Sequence, residues 1–175
     1  MSVNVKVNWD ILTTLKLMEK GGRVKVGWRE DTKYDDGTPV YKIAQIQEYG
    51  ARIPVTDKMR KWFAVQGFPL SKHTTEIIIP PRAFMRQTSD NHKKEWMWKF
   101  REYLVKVLDG KMTFEQAMER LGLTIQGDVK ETISTFSEPH NSPMTIAMKG
   151  KDTPLRNTGI MLATVDYEVE TNETS

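Results

Sequence analysis

The chain has 175 residues and a net charge of +3, with 26 Lys and Arg against 23 Asp and Glu. That length fits one domain, or one domain with an appendage, and holds a core without disulfides or metals. There is no cysteine, which excludes disulfides and thiolate sites, and His73, His92 and His140 are too far apart to make a local metal motif.

Met1 to Lys6 is polar and alternating, without the apolar run of a signal peptide. Runs such as Ile77-Ile78-Ile79 are too short to span a bilayer, so the expectation is a soluble protein made in a cytoplasm, with no membrane partner. Charges of both signs are interspersed, which predicts a solvated surface and permits contact with nucleic acid without arguing for it. Ten Met and five Trp predict an adaptable core, with some aromatic surface left for an interface.

Val3, Val5 and Val7 alternate with polar residues and predict a short strand. Asn8 caps a helix striped by Ile11, Leu12, Leu15 and Met18, which Gly21-Gly22 ends. Arg23 to Trp28 reads as a strand, and Asp35-Asp36-Gly37 as a turn. Thr38 and Pro39 start a short helix with Val40, Ile43, Ala44 and Gln47 on one face, stopped by Gly50. Residues 51–79 read as an insertion, in which Thr56 caps a helix carrying Met59 and Phe63 and a β-prone run from Thr74 to Ile79 meets Pro80-Pro81.

Thr88 or Ser89 starts a long helix to Leu108, with an apolar face of Trp96, Met97, Phe100, Tyr103, Leu104, Val107 and Leu108. Thr113-Phe114-Glu115-Gln116 fits a capping box, and Phe114, Ala117, Met118, Leu121, Ile125, Val129 and Ile133 then recur at helical spacing. Two such helices joined by a short loop pack antiparallel. Residues 137–158 form a long loop with a helical turn at Pro143–Met148; its few apolar residues predict ordering mainly on assembly. Ile160 to Val169 reads as strand, and 170–175 as an acidic, frayed tail. The expectation is a single α+β domain over 1–175, with a small, mostly antiparallel sheet packed against two long antiparallel helices and a projecting helix-strand insertion.

Catalytic constellations are not legible. Asp35-Asp36 sits in a turn signal, and Asp128, Lys130 and Glu131 do not converge on one side of a helix, as a metal-dependent nuclease needs. His140 and Ser142 lack the nucleophile elbow of a hydrolase, and no glycine-rich phosphate loop occurs. Arg82 and Arg86 flank Phe84 after two prolines; such a cluster can clamp nucleic acid, but a stiff corner anchored by Phe84, with its arginines paired to acids, is the stronger reading.

Taken together and in order, these segments resemble the bacteriophage neck and tail-completion proteins, the head–tail joining family of lambda-like siphophages and their Mu-like relatives. The resemblance runs from about Val24 to Val169. It rests on Val26-Gly27-Trp28, Gly37 to Pro39, Ala44 to Gly50, Ile79 to Arg86, Ser142-Pro143 with Thr145, Lys149-Gly150, Pro154-Leu155, and Thr158-Gly159 with Met161-Leu162. The stretch Val55 to Arg60 resembles an insertion found in a subset of the family.

The resemblance implies a non-enzymatic virion component without cofactor or metal, made in the host cytoplasm. It would join or complete the tail as a six-fold ring of copies around the DNA channel, between connector or head-completion proteins and the tail terminator or tail tube. The candidate partner contacts are Trp62, Phe63 and Phe68 on the insertion, Arg82 and Arg86 at the corner, and Lys149, Lys151 and Arg156 on the loop. A sequence-independent DNA-binding module is the alternative, and a phage-encoded hydrolase or nuclease is a third reading.

Overall fold

In chain order the elements are β1 (Gly22–Gly27), α1 (Val40–Tyr49), β2 (Ala51–Pro54), α2 (Asp57–Val65), β3 (Glu76–Ile79), α3 (Phe84–Leu108), α4 (Phe114–Thr135), α5 (Pro143–Lys149), α6 (Ile160–Ala163) and β4 (Asp166–Thr171). The structure, a computed structural model, describes residues 21–171. The strand and helix expected before residue 21, and the tail beyond 171, lie outside the described residues. The fold is α+β, with long helices and small antiparallel sheets. No helix among the described residues is long and apolar enough to cross a membrane.

The described chain forms two units. The first holds residues 21–27, Thr88–Val129 and 165–171; the second holds Trp28–Gln87 and Lys130–Thr164. In the first, β1 and β4 pair antiparallel from Gly22↔Thr171 to Gly27↔Asp166, with a Lys25–Glu170 ion pair across the ladder. Val107, Ala117, Met118, Val129 and Val165 are buried there. α3 and α4 pack against each other, and the Trp96 indole N–H donates to Asp128 Oδ2 at 2.6 Å. The capping box forms as the sequence suggests. The Gln116 amide donates to Thr113 Oγ1 at 3.1 Å, and the Thr113 amide donates to Gln116 Oε1 at 3.1 Å. The apolar face of α3 is narrower than its sequence implies: Met97 and Leu108 are exposed, as is Trp98.

In the second unit β2 and β3 pair antiparallel from Ala51↔Ile79 to Pro54↔Glu76, enclosing α2. Among the described residues the strands form two separate two-stranded sheets rather than one. The physical reason is local. The insertion closes on itself, the Val55 N–H reaching Thr75 O at 2.9 Å and the Arg60 guanidinium reaching Ser71 O at 2.8 Å and Thr74 O at 2.6 Å.

Three boundaries also differ from expectation. α1 starts after Pro39, because the Thr38 amide is held by Asp36 Oδ1 at 2.9 Å in the preceding turn. α3 starts at Phe84 rather than near Ser89. The segment after Gly159 turns helical before it becomes a strand: Gly159 sits at φ 84°, Thr164 Oγ1 donates to Ile160 O at 2.7 Å, and β4 begins only at Asp166.

Candidate functional site

The second unit is organised around the junction where α1 ends and α3 begins. Glu48, in the last turn of α1, is buried. Its carboxylate accepts the Met85 amide at 2.8 Å and the Arg86 amide at 3.3 Å. These are first-turn donors of α3 that no helical carbonyl can satisfy, so a distant acid supplies the cap. The Arg86 guanidinium returns to Glu48 Oε1 at 2.9 Å and to Glu48 O at 3.1 Å, and lies 5.4 Å from the Tyr49 ring centroid. Gly50 is required beside them, with φ at 74°; a Cβ there would lie 2.7 Å from Ile79 O and 2.9 Å from Pro81 N. Phe84 is wholly buried and meets the Trp28 ring edge-on at 5.9 Å. The Trp28 indole N–H donates to Met161 O at 2.8 Å.

Arg82 binds the long loop to this junction. It is 5% exposed. Nε donates to Pro139 O at 3.0 Å, one terminal nitrogen to Gln47 Oε1 at 2.7 Å, and the other to His140 O at 3.1 Å and Asn141 Oδ1 at 3.4 Å. Burial pulls the guanidinium below its usual range, and Asp152 offsets part of that. Asp152 accepts both the Asn141 amide and its side-chain Nδ2 at 3.0 Å, and sits 2.7 Å from His140 Nδ1. The Asn141 amide, ahead of His140, holds its carboxyl below the usual carboxylate range.

The loop is thus tied down by polar contacts that its few apolar residues do not advertise. Within it, Ser142 caps α5 by accepting the Thr145 amide at 3.2 Å, with Pro143 at the first helical position. Lys149 Nζ donates to Arg156 O at 3.1 Å and to Thr153 O at 3.3 Å. Burial first, then repulsion from Arg82, lower its pKa.

These segments surround a cleft of about 410 Å³, within the ordinary range of ligand-sized cavities. Its lining includes β3 with Phe63, Met144, Thr145, Lys149, Leu155 and Thr158, and Gln47 and Arg82 also contribute. Leu155 holds φ at 59°, a conformation that costs a branched L-residue about 1 kcal/mol. Arg82 and Lys149 are the charged residues of the lining, with no carboxylate among the described residues there. Burial, then Asp36, raises the Tyr34 phenol above its ordinary value, so it lines the cleft as a neutral hydroxyl.

The residues singled out from the sequence divide accordingly. Arg82, Lys149 and Phe63 meet at the cleft. Arg82 pairs with carbonyl and amide oxygens rather than with the acids expected of it. Arg86 is the arginine that pairs with an acid. Trp62 is 46% exposed and packs edge-on against Phe63 at 5.1 Å. The Phe68 amide closes onto Phe63 O at 2.9 Å, and Lys151 is exposed. Arg156 has its Nε buried without a hydrogen-bond partner among the described residues. Glu48 and Asp152 escaped the sequence reading, because each acts on a backbone amide that folding brings to it.

Among the described residues no group of three or more His, Cys, Asp or Glu side chains is placed to hold a metal ion. Comparison with models of known protein families, with curated protein sequences and with solved structures gives no match.

Proposed function

We propose that the chain is a structural, non-enzymatic component of a bacteriophage neck, joining or completing the tail at the head–tail interface as a ring of copies around the DNA channel. The observation that carries this reading is the convergence of the segments on which the resemblance rests. Gln47 to Gly50 and Ile79 to Arg86 are bonded to each other through Glu48 and Arg82, Arg82 also holds Pro139 and His140 just ahead of Ser142, and Trp28 packs on Phe84 while donating to Met161 O. Glu48, Arg82 and Arg86 are spent on holding a scaffold. Exposed large apolar residues, among them Trp62, Val65, Ile78 and Trp98, supply surface for partners.

A DNA-binding module remains the alternative, on the basic balance of the chain. It is weakened by the engagement of Arg82 and Arg86 within the subunit. Gold-labelled antibody against the chain, applied to virions of its phage, tests the reading. Label at the head–tail junction is expected. Label confined to the capsid or distal tail tip, or none on the virion, contradicts it.

A further inference from the structure

We propose that the cleft beside β3 is a strand-addition site, which takes an extended segment of alternating acidic and apolar residues from a partner protein. This does not rest on the neck reading. Three observations within the second unit carry it.

The first is the free edge of β3. Among the described residues its sheet has two strands, and β3 pairs on one side only. Bonding alternates along an antiparallel ladder, and the Val55 N–H to Thr75 O bond sets the phase. Ile77 and Ile79 then bond to β2, and Ile78 turns its N–H and C=O outward. Successive strand residues point to opposite faces. A cleft touched by Ile77, Ile78 and Ile79 in a row therefore runs along the strand's edge. An added strand would satisfy these groups, the usual source of affinity in strand addition.

The second is charge. The charged side chains of the cleft lining are Lys149 and Arg82, the latter already bonded to Gln47, Pro139 and His140, and no carboxylate lines it among the described residues. Lys149 gives two of its N–H bonds to Thr153 O and Arg156 O, which leaves one for a ligand. Burial and the nearby Arg82 disfavour the charge of Lys149 and Asp152 offsets only part of this, so a carboxylate at its third N–H is favoured there.

The third is the apolar lining. Phe63, Ile77, Ile79, Met144 and Leu155 offer pockets for the alternate side chains of an extended peptide. Among the described residues the acidic, alternating strand Tyr167 to Glu170 is already held against β1, which favours a partner over a second copy as the occupant.

The test uses the full chain and a fluorescent peptide, Thr-Val-Glu-Val-Glu-Val-Thr, read by anisotropy. Saturable binding is expected, weaker by at least about tenfold for the Lys-for-Glu peptide. N-methylation of every second residue should abolish binding in one of the two registers, the one that removes the donors facing β3, and spare it in the other. Lys149→Met should cost the acidic peptide about tenfold and spare the Gln-for-Glu peptide. Ile78→Pro removes an outward N–H without a β2–β3 bond, so it should keep the thermal midpoint and lose binding.

No binding of the acidic peptide, equal affinity for acidic and basic peptides, or unchanged affinity of the N-methylated peptide in both registers would overturn the proposal. So would self-association of the wild type that Ile78→Pro abolishes, since a second copy would then fill the edge. None of these results bears on where the protein sits in a virion.

Discussion

Glu48 and Arg86 meet at 2.9 Å across the junction of α1 and α3, one buried and the other 59% exposed. The asymmetry decides which of them matters for stability. Glu48 serves two backbone amides as well as the guanidinium. Glu48→Ala leaves those donors without their acceptor and should cost about 2 kcal/mol. Arg86→Ala removes a solvent-screened partner and should cost less than about 1 kcal/mol. Urea denaturation of both variants checks the order; equal losses would contradict the capping role.

Arg82 holds together parts of the chain more than fifty residues apart, through Gln47, Pro139 and His140. Arg82→Met should destabilise the protein by about 2 kcal/mol, since the buried guanidinium's charged hydrogen bonds to Gln47, Pro139 and His140 are lost. Arg82→Lys should recover little, because an ammonium cannot reproduce the planar fork. Amide exchange across 139–149 should rise in both variants.

Two glycines of α4 should respond to alanine with opposite signs. A Cβ at Gly122 would fall 2.4 Å from Tyr167 Cδ2 and 3.0 Å from its Cγ, so Gly122→Ala should lower the thermal midpoint. A Cβ at Gly127 meets nothing within 4 Å. Gly127→Ala should raise stability by about 0.5–1 kcal/mol through helix propensity.

Acid should loosen the long loop before it unfolds the rest. The Asp152 carboxyl is held below its usual range by the Asn141 amide, then by His140. A depressed carboxyl contributes stability above its ordinary value, near pH 4, and loses it as pH falls through the lower folded value. Protection of the Asn141 amide, its exchange relative to the unfolded-chain rate at the same pH, should therefore fall on acidification below about pH 4 in the wild type. Asp152→Asn should show fast exchange there already at neutral pH.

What the sequence disclosed follows from the range of the interactions. The Thr113–Gln116 box and the Ser142-Pro143 start of α5 lie within four residues and were legible. So were the periodic faces of the two long helices, although solvent takes Met97 and Leu108 from the face of α3. The start of α3 was misplaced because its cap, Glu48, lies 37 positions before Met85. The two-sheet arrangement was missed because strand character says nothing about which strand is the partner. The loop looked poorly compensated because its compensation is polar, supplied by Arg82 and Asp152 rather than by apolar area.

The neck reading is tested most directly by the mass of the species formed when the purified protein is mixed with filled heads and, separately, with tail tubes of its phage. A discrete ring's worth of copies should add to one of the two particles. Trp62→Ala, a change at an exposed side chain, should leave the thermal midpoint within about 1 kcal/mol of wild-type stability and lower that added mass. A protein that adds to neither particle, yet cleaves nucleic acid, peptide or cell wall with turnover lost on one point change, would contradict it.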